Sequence, residues 1–142
     1  MAVPTISQKF YAVVNKHLTN LSLPTIDPAD YNASSPETYT GTAYPRNTRL
    51  ILDAPLESSV VGRTTIYYNR IDMAASLTGL IVSKGSATTL IELLPALSEI
   101  IGVQLSANDV VPVALPASGS FTLTASATNL LYTGSTSVTL ST

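Results

Sequence analysis

The chain has 142 residues, no cysteine, and a formal net charge of −2 from seven Lys/Arg and nine Asp/Glu. This length suffices to bury a core in one domain, while the missing cysteines exclude a disulfide framework and a thiolate zinc site. The seven basic residues stand singly and form no stripe for neutralising phosphates, so nucleic acid is not an expected partner.

Charged residues make up 11% of the chain, where about 25% is usual in a globular domain, and serine and threonine take the surface role instead. A lone soluble monomer carries more charge than this for colloidal stability, so the deficit points to a surface covered by other subunits. The N-terminus, MAVPTISQKF, lacks the basic start and unbroken apolar run of a signal peptide. No stretch approaches the roughly 20 apolar residues that span a bilayer. The expectation is a protein neither exported by that route nor embedded in a membrane, and compatible with the cytoplasm.

In chain order, TISQKFYAVVNKHL has a helical period. Ile6, Phe10, Val13, Val14 and Leu18 fall on one face, and Thr5 with Gln8 fits a capping box, predicting a helix over about 6–19. From 21 to 47, prolines at 24, 28, 36 and 45 forbid a long helix and no apolar alternation persists. Tyr31, Tyr39 and Tyr44 are spaced widely along this stretch. Disordered linkers are poor in aromatics, whereas an arm lying across a neighbour benefits from rigid amphipathic anchors. Residues 1–46 therefore read as an N-terminal helix and extended arm, and 47–142 as a compact α+β body.

In the body, TRLILDAP reads as a short strand and ESSVVGRTTIYYNRIDM as a longer one. LIV is a third strand, closed by a Lys-Gly turn. TTLIELLPALSEII returns to helical spacing, predicting a helical insert over about 88–101 with Leu90, Leu93, Leu94, Leu97, Ile100 and Ile101 inward. Thr89 and Glu92 form a second possible capping box, Pro95 is expected to kink or divide the helix, and Gly102 suits its end. LSANDVVP reads as one capped turn with Ser106 as N-cap and Asp109 three residues on. The tail holds two or three short strands, with turns at Ser118-Gly119 and Thr133-Gly134 and paired endings GSFTL and TSVTL. The fold class is α+β: a β-rich body of antiparallel strands, a helical insert, the N-terminal helix and the arm.

Candidates for chemistry are few. His17 is the single histidine, so any Ser-His-Asp arrangement must use it, and a multi-histidine metal site is impossible. Its place beside Val13 and Val14 favours a packed, hydrogen-bonded histidine. Asp27 and Asp30 in TIDPADY lack the alternating acidic loop of an EF-hand, and Asp27 as N-cap before Pro28 explains the same residues. Glu92 and Glu99, seven residues apart, lie about 10 Å from each other along a helix, a spacing near that of an inverting glycosidase. One helix face with no tryptophan supports solvated or capping glutamates better. The glycines stand alone at turns and build no phosphate loop. No catalytic residue, metal ligand or cofactor is assigned.

TTIYYNRIDM carries the concentrated signal. As one strand, it places Ile66, Tyr68, Arg70 and Asp72 on one face and Thr65, Tyr67, Asn69, Ile71 and Met73 on the other. Neither face is polar throughout, so one is expected to pack on the core and the other on the arm or a neighbouring subunit, with Arg70 and Asp72 pairing with each other or across that contact; a buried strand with one internal ion pair is the alternative. Tyr and Arg are favoured at interface hot spots. The candidate contact residues are Phe10, Tyr31, Tyr39, Tyr44, Tyr67, Tyr68, Arg70 and Asp72.

YYNRIDM, then LIELLPALSEIIGVQLSANDVVP, then strands ending in LLYTGSTSVTL, resembles small virion structural proteins of large tailed bacteriophages. Gly62, Tyr67, Tyr68, Asn69, Arg70, Ile71, Leu93, Leu94, Leu97, Gly102, Leu105 and Asp109 carry the likeness, over roughly 47–140. The resemblance implies a non-enzymatic component of head or tail, homo-oligomeric or bound to other virion proteins, in a particle assembled in the host cytoplasm. The alternatives are a receptor- or glycan-binding adhesin or fibre module using exposed tyrosines, and a small hydrolase built on His17.

Overall fold

A computed structural model of the chain describes residues 3–54 and 62–141. It is α+β, as expected. The contacts divide it into two units, Ser7–Arg70 and Met1–Ile6 with Ile71–Thr142. This division differs from the expected one at 46/47, because the arm pairs with the strand that follows it.

The Ser7–Arg70 unit takes up helix α1 (Ile6–Asn20) from Ser7 onward and adds a 3-10 turn at Pro28–Asp30. Its strands are β1 (Asn32–Ala33), β2 (Glu37–Thr38), β3 (Thr48–Asp53) and β4 (Arg63–Tyr68). The 3-10 turn is capped as the sequence predicts: Asp27 Oδ1 accepts from the Ala29 N–H at 2.9 Å, and Pro28 opens the turn without a donor to lose. β3 is the organiser. On one side β4 pairs with it antiparallel over its full length, from Thr48↔Tyr68 to Asp53↔Arg63; on the other, β1 and β2 pair with its two ends.

Along β3, Thr48, Leu50 and Leu52 are buried and alternate with residues more open to solvent, the period expected of a half-buried strand. Opposed residues share a face, which places Ile66 and Tyr68 with Leu50 and Thr48. Tyr67 instead lies opposite Arg49, which also faces Glu37.

The Ile71–Thr142 part opens with β5 (Ile71–Asp72) and α2 (Met73–Ser76), then β6 (Leu80–Ser83) and α3 (Leu90–Ile101). After a 3-10 turn at Ala107–Asp109 come β7 (Gly119–Thr124), β8 (Tyr132–Thr133) and β9 (Ser135–Ser141). β9 is central in the order β6-β9-β7. The paired endings are real: Phe121 lies opposite Val138 and Gly119 opposite Leu140 in antiparallel register. β6 runs parallel to β9, and β5 parallel to β8, so two parallel pairs accompany the antiparallel ones.

The core of this unit is continuous and mainly aliphatic, with Phe121 and Tyr132 as its aromatic members. Leu90, Leu93, Leu94 and Leu97 of α3 pack with Val82, Leu123, Val138 and Leu140 of the sheet and with Met73, Val103 and Leu105. Burying each such side chain stabilises the fold by about 1.5–3 kcal/mol. The buried polar groups are partnered. Ser98 Oγ donates to the Leu94 carbonyl at 2.6 Å and accepts from the Leu105 N–H at 2.9 Å. Asn129, with no exposed surface, donates to the Asp109 carbonyl at 2.9 Å and accepts from the N–H groups of Leu131 and Tyr132 at 3.0 and 2.8 Å.

Helix α3 rules out a division at Pro95 and corrects the expected inward side of its last turn. It runs through Pro95 undivided. Proline removes the donor that would reach the Ile91 carbonyl, and Ile91 is 40% exposed, on the side where water is at hand. Ile100 points outward at 50% exposure, since the apolar stripe turns away from the core in the last turn. The start and end follow the sequence. The Glu92 carboxylate accepts from the Thr88 and Thr89 N–H groups at 2.6 and 3.4 Å, which holds its pKa below the usual range. Gly102 ends the helix at φ 83°, in the left-handed region.

Candidate functional site

The stretch TTIYYNRIDM is not one strand. β4 ends at Tyr68, Ile71 and Asp72 form β5, and residues 57–61 of the longer expected strand lie outside the described residues. The cause is local. Asn47 Oδ1 accepts from the Arg70 N–H at 3.0 Å, and its own N–H donates to Asn69 Oδ1 at 2.9 Å. Arg70 Nε donates to Thr48 Oγ1 at 3.2 Å, and that hydroxyl donates to Asn47 Oδ1 at 2.5 Å. Side chains thus occupy the backbone groups that would have continued the ladder.

Arg70 and Asp72 consequently do not share a strand face as the alternation predicted. Asp72 instead caps α2, accepting from the Ala74 N–H at 3.1 Å.

The paired tyrosines diverge. Tyr68 faces α1, its ring centroid 4.8 Å from that of Phe10, which in turn meets Tyr11 edge-on at 5.0 Å. The Tyr68 hydroxyl is buried with no hydrogen-bond partner among the described residues. Burial pushes its pKa up to about 12, with a smaller rise from Tyr11 and an opposing pull from Arg70. Tyr67 faces the opposite way and gathers the arm: Tyr44 stacks on it at 4.3 Å and Tyr39 meets it edge-on at 4.9 Å. Offset and edge-on ring pairs of this kind contribute about 0.5–1.5 kcal/mol each beyond their area.

Around this cluster the Tyr39 N–H donates to the Asn47 carbonyl at 2.8 Å, closing the loop between them. The Tyr39 ring folds over Gly41 so closely that a Cβ there would come within 2.6 Å of Cζ. Arg49 pairs with Glu37 at 2.7 Å and Arg63 with Asp53 at 2.6 Å on the same outer face. Tyr39 and Tyr44 therefore clasp the chain's own β4. Tyr31 ends the 3-10 turn, half-buried.

A further feature has no counterpart in the sequence reading. The expected apolar stripe of α1 is buried only at Phe10 and Ile6, with Tyr11 beside them. Val13 is 62% exposed, Val14 and Leu18 half-buried, and His17 exposed rather than packed. These four residues form one wall of a groove of about 430 Å³ whose other wall is β4 from Thr64 to Tyr68. Residues from both faces of β4 border it, so it runs along the strand's outer edge. β4 pairs with β3 alone among the described residues, which leaves that edge free.

Ile26 closes one end, held where its N–H donates to Asn15 Oδ1 at 2.7 Å and its carbonyl accepts from Asn15 Nδ2 at 2.8 Å. Arg46 lies at the rim, its guanidinium bonded to the Pro45 carbonyl at 2.9 Å. Helical periodicity revealed the stripe, but which part of it the sheet would cover was beyond local pattern.

Among the described residues no group of three or more histidine, aspartate or glutamate side chains is placed to hold a metal. No helix is long and apolar enough to cross a membrane. Among the described residues the arrangement offers contact surface: an apolar bed, a strand edge with free backbone groups, and the cation Arg46.

A family model described as a family of unknown function (DUF7941) matches residues 3–142. No curated protein and no solved structure matches the chain.

Proposed function

The chain belongs to the DUF7941 family, and we propose that it is a non-enzymatic structural subunit of a tailed-phage particle, acting through contacts with other virion subunits. The observation that carries this reading is the open groove between α1 and β4, mostly apolar along its helix wall and bordered by a strand edge that is unpaired among the described residues. A free edge beside exposed aliphatic side chains is a surface that a protein partner covers. The low charge of the chain agrees with such use. The particle itself is suggested by the likeness of YYNRIDM and the following helical segment to small virion proteins.

The test is particle composition. Particles grown with the wild-type chain are expected to contain it by mass spectrometry. Val13→Asp, a change at an exposed site that leaves the thermal melt unchanged, is expected to lower its incorporation about tenfold, as a charge desolvated in an apolar contact demands. Absence of the wild-type chain from purified particles overturns the reading. A glycan-binding role is favoured by one feature only, the 49% exposure of Tyr44. A glycan array with no signal removes it.

A further inference from the structure

We infer that the α1–β4 groove takes an extended, acidic-and-apolar segment of a partner protein, which adds to the sheet as a strand along β4. This rests on the assembly reading above and specifies how the contact is made.

Three observations lead to it. The first is the edge itself: among the described residues β4, six residues long, pairs with β3 on one side only, which leaves alternate N–H and C=O groups free on the other. At about 3.3 Å per residue this edge accommodates about six residues of added strand, and main-chain hydrogen bonds supply affinity irrespective of sequence.

The second is the wall. Val13, Val14 and Leu18 of α1 line the groove beside that edge, an apolar surface for alternate side chains of an added strand. The third is charge. Among the described residues the groove lining includes the cation Arg46, with His17 nearby, and no carboxylate, and neither of the two ion pairs among the described residues, Arg49–Glu37 and Arg63–Asp53, uses Arg46. A carboxylate on the incoming segment complements that rim. Strand addition along β4 satisfies all three features at once, whereas a helix laid in the groove leaves the free backbone groups of β4 unanswered.

The experiment selects a random peptide library on the full-length protein, discarding peptides that also bind Val13→Asp. Enriched sequences are expected to alternate apolar residues and to carry Asp or Glu. A synthetic winner is expected to lose binding when its alternate backbone nitrogens are methylated, to protect the amides of 64–68 from hydrogen exchange, and to bind Arg46→Gln about fivefold more weakly, the size of a partly exposed charge contact.

Enrichment of peptides with apolar residues at helical spacing or without acidic residues overturns the inference, as does no enrichment over Val13→Asp. If the wild-type protein dimerises in the micromolar range with the same amides protected, the occupant is a second copy and the partner segment is wrong. Val13→Asp lost from particles while no peptide is selected overturns strand addition and leaves the assembly reading standing. Failure of both discards both.

Discussion

The two units of this chain are held together by different means. Residues 71–142, with Ile6, enclose a continuous, mainly aliphatic core in which the fully buried Leu90, Leu97, Leu123 and Val138 pack together, and their buried Asn129 and Ser98 are hydrogen-bonded. Among the described residues of 7–70, the deeply buried aliphatic side chains are Leu50 and Leu52, and ring contacts and the Asn47–Asn69–Arg70 lock supply much of the rest. Burial is non-directional and scales with area, so it favours closing a core completely. Ring pairs and side-chain hydrogen bonds are directional and local. They fix a clasp while leaving apolar surface such as Val13 open.

The largest effect that tests this contrast is a core truncation. Leu97→Ala is expected to lower the stability of its unit by about 2–5 kcal/mol in denaturant titrations, because lost burial and a residual cavity add. The same truncation at Val13, 62% exposed, is expected to stay within about 0.5 kcal/mol. Similar losses at the two sites break the comparison.

An intermediate effect is expected at the lock. Asn47→Ala removes the acceptor of the Arg70 N–H and the Thr48 hydroxyl, and is expected to cost about 1–2 kcal/mol while speeding hydrogen exchange at Arg70. Unchanged exchange there denies the lock its role.

The smallest effect sharpens the picture of the tyrosines. At neutral pH, Tyr68→Phe is expected to change stability by less than about 1 kcal/mol, since it deletes a buried hydroxyl that has no partner among the described residues. Its consequence lies at alkaline pH. The folded-state pKa, about 12, stands above the ordinary 10.0, so folding holds this proton more tightly. The associated stability is complete below about pH 10 and is lost as pH rises through about 12. Tyr68→Phe is therefore expected to shrink the alkaline loss of stability, although Tyr11 and Tyr132, raised by burial too, keep part of it. An identical alkaline profile for the variant contradicts the burial of Tyr68.

Local pattern in the sequence determined much of the fold. The leucine spacing of 90–97 identified the buried side of α3, the Asp27-Pro28 pair its capped turn, and GSFTL with TSVTL two paired strands. Each is set by interactions within a few residues or by a period that solvent reads directly.

Tertiary structure alone decided the rest. That β4 stops at Tyr68 depends on Asn47, 22 residues before Asn69. That Tyr39 and Tyr44 clasp Tyr67 depends on the register of β2 and β4 on β3. The candidate groove depends on α1 and β4 lying side by side, which nothing in either segment's own sequence announces. Periodicity tells which side chains favour burial, but the order of strands in a sheet settles which of them find a partner.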